Sequence, residues 1–292
     1  MGHNDGEDRQ PPVLYFPMDE KALIAACLAG NRQSLETLIG SIQEQIFNLA
    51  MRFLWHREDA EDATQEILVK LITNLSKFGG KSKFSTWAYR VATNYLINLK
   101  QTRLEGAFSS FEVFAQDLRT VKNTADYGLP DQDLMVKEVK TGCTLAMLQC
   151  LDRNLRMAFI LGSVLNIKSS VAAEITDTTP ANFRKRLELA RKRIGTFLQG
   201  HCGVYNPQNA CRCPKRIHDA QASGRVQPGN MNFVGADKVA QYNEEMEELN
   251  SMAGIYHNHG HFRGNTDFAK QLGAMLASKQ ILDGESRPGL GG

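Results

Sequence analysis

Residues Arg57–Arg103 read REDAEDATQEILVKLITNLSKFGGKSKFSTWAYRVATNYLINLKQTR, and this stretch predicts two helices of opposite charge character joined by a short Gly-Lys loop. The first opens on carboxylates (Glu58, Asp59, Glu61, Asp62, Glu66), and its apolar residues then recur at Ile67, Leu68, Leu71, Ile72 and Leu75. Spacings of three and four make one buried stripe. The second helix starts near Phe84 and carries Trp87, Tyr89, Val91, Ala92, Tyr95, Leu96 and Leu99. Between Lys81 and Arg103 there are five basic residues (Lys81, Lys83, Arg90, Lys100, Arg103) and no acidic one, a local charge of +5. An acidic helix followed by a basic, aromatic-rich one suits a protein partner on one side and nucleic acid on the other.

On the N-terminal side, Leu23, Ile24, Cys27 and Leu28 form a helical stripe that breaks at Gly30. Asn31 is placed to cap a longer helix with Leu35, Leu38, Ile39, Ile42, Ile46, Leu49 and Phe53 on its apolar face. Residues 1–18 are polar and Pro-containing, the composition of a disordered tail. On the C-terminal side, residues 105–131 lack strong periodicity and contain the breaker Tyr127-Gly128-Leu129-Pro130, so they read as an interdomain linker.

A second helical block spans 132–200. Leu134, Val136, Val139, Leu145, Leu148 and Leu151 support one helix, and Leu155, Ala158, Phe159 and Leu161 another. Ser169 or Ser170 is then placed to cap a short helix ending near Ile175, with a turn at Thr176-Asp177-Thr178-Thr179. Thr179 is a natural N-cap, and Pro180 at the first helical position has its φ preset and no N–H to leave unpaired. The helix that follows has six positive charges (Arg184, Lys185, Arg186, Arg191, Lys192, Arg193) against Glu188, with Phe183, Leu187, Ala190 and Ile194 as its buried stripe. A capped turn that leads into such a helix can enter a major groove. The predicted architecture is therefore all-α: two small helical domains (19–104 and 132–200) on either side of a linker, with a mostly helical or irregular extension over 201–292.

The segments DAEDATQEI (59–67) and FSTWAYRVATNYLIN (84–98) resemble region 2 of bacterial RNA polymerase sigma factors of the extracytoplasmic-function (ECF) group, and TPANFRKRLELARKRI (179–194) resembles their region 4. The resemblance implies a factor that binds core RNA polymerase and promoter DNA, needs no cofactor, and leaves catalysis to the polymerase. Polymerase docking then falls to Asp59, Asp62, Gln65, Glu66 and Lys70. Capture and melting of the −10 element fall to Gly80, Lys81, Ser82, Lys83, Arg90, Asn94, Asn98, Lys100 and Arg103, with Trp87 read mainly as core. Reading of the −35 element falls to Thr179, Pro180, Ala181, Asn182, Arg184, Lys185, Arg186 and Arg191. The linker would pass through the polymerase. In place of the family's Leu-Gly-Ile-Ser type of turn stands Thr176–Thr179, where Asp177 can take the left-handed conformation at modest cost.

The extension has no counterpart in a minimal factor of this group. It opens with HCGVYNPQNACRCPKRIH (201–218), whose Cys202, Cys211 and Cys213 are soft ligands at a spacing that is not a standard zinc pattern. Some ECF groups carry a cysteine-rich tail that senses metal, so a metal ion held by these three residues is one expectation. A plain tethering segment is the other. An acidic helix over 239–249, the alternating His257, His259 and His261, and an amphipathic helix over 267–282 complete it. The extension is expected to regulate the factor by covering or releasing its binding faces, in place of or beside an anti-sigma protein.

Composition fits this picture. Among 292 residues 42% are hydrophobic and 23% charged, as in a globular protein, and the net charge of +2 shows that the basic signal is local. No apolar run reaches membrane-spanning length, and the polar N-terminus argues against a signal peptide. Six irregularly spaced cysteines suit a reducing cytoplasm better than a disulfide framework. No nucleophile–base arrangement or phosphate-binding Gly loop points to an enzyme. Two other readings remain at this stage: a helix-turn-helix regulator that binds DNA alone, and a metal-sensing regulator or metal-dependent enzyme centred on residues 201–261.

Overall fold

A computed structural model of the chain describes residues 19–100, 110–120, 132–223, 225–227, 231, 233, 256, 262, 264 and 266–278. The polar N-terminal tail, Arg103, the predicted helix over 239–249 and His257, His259 and His261 lie outside them. Among the described residues every regular element is a helix.

The first bundle contains α1 (Glu20–Leu28), α2 (Arg32–Leu54), α3 (Arg57–Thr73) and α4 (Phe84–Asn98). Its starts follow local chemistry: the Asn31 side chain accepts from the Ser34 N–H (2.9 Å), and the His56 ring accepts from Asp59 N–H at 3.4 Å. Leu28, predicted in the α1 stripe, is instead 53% exposed. The helix ends there, and Gly30 at φ 85° turns the chain away before anything can cover it. α2 is the axis of the bundle. Over Phe47–Leu54 it is buried on all sides, because a second module and the extension pack on the face that α1 and α3 leave open.

The second module contains α5 (Phe111–Thr120), α6 (Gln132–Gln149), α7 (Arg153–Phe159), α8 (Ser169–Ile175) and α9 (Pro180–His201). α5 lies within the predicted linker. Phe111, Phe114, Ala115 and Leu118 recur at helical spacing, which corrects the linker expectation, and Phe111 and Phe114 pack on Phe197 of α9 at ring distances of 5.2 and 5.3 Å. α7 runs on through a π-helical turn, Ile160–Val164. Two details depart from expectation. Neither Ser169 nor Ser170 caps α8: Lys168 holds the N-cap position without a side-chain cap hydrogen bond, and Ser169 is already helical. At the start of α6 Leu134 is only half-buried, and Met135 takes the inward position against Ile217 and Val226 of the extension.

The modules pack against each other around one continuous core. Arg156 of α7 donates to the carbonyls of Leu148, Gln149 and Leu151 and, across the junction, to that of Phe53 at 3.0 Å. Its guanidinium lies 5.0 Å from the Phe53 ring. Arg153 reaches the last turn of α4, donating to the Ile97 carbonyl at 2.8 Å, to that of Leu99, and to that of Leu96 at 3.5 Å. Arg153 satisfies a helix C-terminus of the other module, and Arg156 joins the C-terminal end of α6 in its own module to that of α2.

The extension straps the two modules. A 3-10 turn (Pro214–Arg216) and α10 (Ile217–Ala222) lie on α6, and α11 (Phe268–Ser278) lies on α2 and α3. Between them, Phe233 N–H donates to the Glu138 carboxylate, and the Tyr256 ring meets Phe159 edge-on at 4.9 Å. Buried Asn48 pairs with Phe262 in both directions, its amide donating to the Phe262 carbonyl (2.8 Å) and its oxygen accepting from the Phe262 N–H (2.6 Å). Arg52 bonds to Asn48 and lies 4.8 Å from the Phe262 ring.

Candidate polymerase and promoter interfaces

The α3 stripe resolves into two faces. Ala60, Ala63, Thr64, Ile67, Leu68 and Leu71 are buried, whereas Asp62, Glu66 and Lys70 are exposed and Asp59 and Gln65 half-buried. These five residues therefore share one outward face. Lys70 sits 5.6 Å from the Tyr95 ring of α4. Burial pushes the Tyr95 hydroxyl pKa up, and the Glu66 and Asp62 carboxylates push it further. The face is thus anionic with an aromatic edge. Among the described residues of the extension, Thr266 reaches its flank, where the hydroxyl donates to Glu61 at 3.3 Å.

Between α3 and α4 runs a 3-10 turn (Leu75–Lys77) and then the loop. Gly80 has φ 63°, a conformation that glycine adopts without strain, and Lys81 and Lys83 stand exposed beside it, with Ser82 half-buried. The base of the loop is an aromatic trio: Phe78, Phe84 and Trp87, with centroids 5.5 to 5.8 Å apart. Trp87 is half-buried within it, so it belongs to the core edge and also borders the loop. Along α4, Asn94 and Asn98 are exposed, and the Asn98 amide donates to the Asn94 carbonyl at 2.8 Å. Lys100 is exposed.

In the second module the turn has the predicted form. Asp177 has φ 49°, and the Thr179 hydroxyl accepts from the Asn182 N–H at 3.2 Å. Pro180, Ala181, Asn182, Arg184 and Lys185 are exposed at the start of α9, and Arg186 is half-buried. Phe183, Leu187, Ala190 and Ile194 face inward. Arg191 differs from its neighbours: its Nε donates to the Ser163 hydroxyl at 2.9 Å, tying α9 to the π turn.

The two candidate DNA faces meet. Arg90 of α4 pairs with Asp177 of the turn at 2.9 Å, Thr93 contacts Met157, and α4 packs along α8. Sequence reasoning did not bring Arg90 and Asp177 together, since they are separated by 87 positions.

The three expected metal-ligating cysteines do gather. Cys202, Cys211 and Cys213 line one cavity, and a fourth thiol that the spacing could not reveal, Cys143 of α6, lines it with them. As the side chains stand, no group of three or more His, Cys, Asp or Glu among the described residues is placed to hold a metal ion.

A capped acidic helix, a Gly-Lys loop before a basic helix, and a helix-turn-helix with a cationic outer face define the class: a helical promoter-recognition factor. Residues 38–103 match the family model for sigma-70 region 2. The chain is 26% identical over 184 residues to the RNA polymerase sigma-H factor of Pseudomonas aeruginosa, covering 62% of this chain and 94% of that protein. It is 24% identical over 184 residues to the ECF RNA polymerase sigma-E factor of Escherichia coli (62% and 95%), and 23% over 167 residues to the ECF RNA polymerase sigma factor SigW of Bacillus subtilis (56% and 89%). The region 2 match and these relatives support an ECF-type RNA polymerase sigma factor with a role in transcription initiation. No described helix is long and apolar enough to cross a membrane.

Proposed function

We propose that this sigma factor rests in a closed, self-inhibited arrangement and opens on core RNA polymerase to engage its promoter. Docking uses the outward face of α3 (Asp59, Asp62, Gln65, Glu66, Lys70), where complementary charge sets orientation and encounter rate. The loop at Gly80–Lys83 holds an extruded −10 base, and Arg90, Asn94, Asn98 and Lys100 follow the strand. Unstacking a base costs a few kcal/mol, which the loop and the basic groove offset. The first turns of α9 read the −35 element, with Asn182 and Arg184 toward base edges and Lys185 and Arg186 toward phosphates. Catalysis stays with the polymerase.

The observation that carries the closed state is the Arg90–Asp177 contact at 2.9 Å. Elements centred at −10 and −35 are about 25 base pairs apart, or ~85 Å along B-DNA at 3.4 Å per pair. Two DNA-reading faces in contact cannot bridge that distance, so the modules must part before both elements are read. The extension takes, in cis, the part that a separate anti-sigma protein would take. Its described residues tie α2 to α6 and α7 through Phe262, Tyr256 and Phe233.

Transcription in vitro with core polymerase tests this. The full-length protein is compared with a Phe262→Ala, Tyr256→Ala variant over a range of sigma concentrations. Promoter-specific transcripts that need core, with the loosened variant active at lower concentration, are the expected result. Specific duplex binding by the protein alone, with no core-dependent transcript, would replace the reading with that of a stand-alone regulator.

A further inference from the structure

The thiol-lined cavity has a volume of 30 Å³ and lies between α6, the end of α9 and the loop that follows it. The loop from Cys202 to Cys213 is built to bring its cysteines together. Asn206 N–H donates to the Cys202 carbonyl at 2.8 Å, and the side chains of Asn206 and Asn209 both donate to the Gln199 carbonyl in the last turn of α9. Asn209 also reaches the Cys202 carbonyl at 3.1 Å. Gly203 allows the two arms to close: a methyl group there would overlap the carbonyl oxygen of Cys211. Cys143 then faces the loop from α6.

We propose that Cys143, Cys202, Cys211 and Cys213 bind one zinc ion in this cavity, and that the ion clasps the first loop of the extension to α6. This inference does not depend on the promoter-binding reading.

Four sulfur donors with no oxygen donor among them suit a tetrahedral structural zinc site. The nearby histidines are engaged elsewhere: the His201 ring packs on Phe197 at 4.7 Å, and His218 is exposed beside Asp219. The cavity is small, of a size suited to a single ion. Charge also balances. Four thiolates around a dication leave two excess negative charges, and Lys140 and Arg216 line the same wall. The four cysteines line one cavity, and binding an ion requires their side chains to turn toward a common point, since as they stand they are not grouped to hold one.

The test uses the full chain purified under reducing conditions. The wild-type protein is expected to contain one equivalent of zinc by elemental mass spectrometry. It should also take up cobalt(II) with the visible absorption of a tetrahedral thiolate complex. Titration with zinc against a chelator should show Cys143→Ser and Cys211→Ser weakened by more than about 100-fold, beyond the 10–100-fold typical of losing an outer partner. Cys150→Ser, a buried thiol outside the cavity, should bind zinc like the wild type, and far-ultraviolet circular dichroism checks that each variant is folded. The proposal is overturned if folded wild-type protein holds no zinc and gives no cobalt–thiolate band. It is equally overturned if two of the four cysteines form a disulfide under these conditions, or if Cys143→Ser binds zinc as tightly as the wild type.

Discussion

Replacing Arg153 with Ala should release the two modules from each other. The guanidinium is half-buried and donates to the Ile97, Leu99 and Leu96 carbonyls at the end of α4, acceptors that only the closed arrangement presents to it. A hydrogen bond to a charged group contributes roughly 1.5–3 kcal/mol, and partial exposure brings this set to about 2 kcal/mol. At 1.4 kcal/mol per factor of ten, the open population rises about 30-fold. The apparent affinity of a protein that binds only when open is its intrinsic affinity scaled by the open fraction. Arg153→Ala should therefore bind core polymerase up to about 30-fold more tightly while the closed form dominates, and small-angle scattering should show a more extended particle. Arg193→Ala is the matched control, since its ion pair with Asp152 at 3.7 Å is exposed and internal to the second module. It should change affinity by less than about twofold. If Arg153→Ala binds core no more tightly than the wild type and scatters identically, these bonds do not hold the modules together, and closure cannot be the inhibitory device.

Other consequences can be measured directly. Asn48→Ala removes both hydrogen bonds to buried Phe262, a cost of about 1–3 kcal/mol that differential scanning calorimetry should register as a Tm lower by roughly 2–10 °C. Arg184→Ala and Lys185→Ala, both at exposed positions, should each lower the salt slope of promoter binding by about 0.9 while leaving stability within about 0.5 kcal/mol. Glu66→Lys should slow association with core polymerase in stopped-flow traces, and an unchanged rate would remove α3 from the docking face. Burial alone would push the Asp117 carboxyl up, but Arg225 at 3.0 Å and Arg216 at 3.2 Å reverse this and hold it below its ordinary value. Its contribution is thus present above the unfolded-state pKa of about 3.9 and is lost as pH falls below it. Asp117→Asn should flatten that acid limb in denaturant titrations.

Local signals in the sequence carried most of the architecture. The caps at Asn31 and Thr179, the Pro180 start, the left-handed Asp177 and the inward faces of α2, α3 and α9 all follow from spacing and side-chain chemistry, and the structure has each of them. What sequence could not show is what depends on distant partners. α5 is a short amphipathic helix (Phe111, Phe114, Ala115, Leu118) set between long aperiodic stretches, and what the sequence could not show is its partner, Phe197, on which Phe111 and Phe114 pack. The all-round burial of Phe47–Leu54 looks like a surplus of apolar residues until the second module and the strap are in place. Cys143 sits in a helix whose periodicity already explains it, so only the three-dimensional approach of the Cys202–Cys213 loop marks it as part of a cluster. Nothing in the local sequence around Arg153 and Arg156 marks their acceptors, which lie at the ends of α4 and α2 in the other module as well as α6 in their own.

The backbone N–H of Phe84, at the start of α4, donates to the Glu20 carboxylate at 3.0 Å. A helix amino end is a ready anion site, and here it lies next to the loop assigned to the extruded base. Because a carboxylate of α1 already engages the first N–H there, a sugar-phosphate chain arriving at this corner meets a helix end whose positive pole is partly neutralised. More of its attraction then falls to the long ammonium side chains of Lys81 and Lys83, which can track a strand as it changes shape during melting. Grip at this corner is therefore elastic, whereas the pose of the loop itself is fixed by the first helix of the chain.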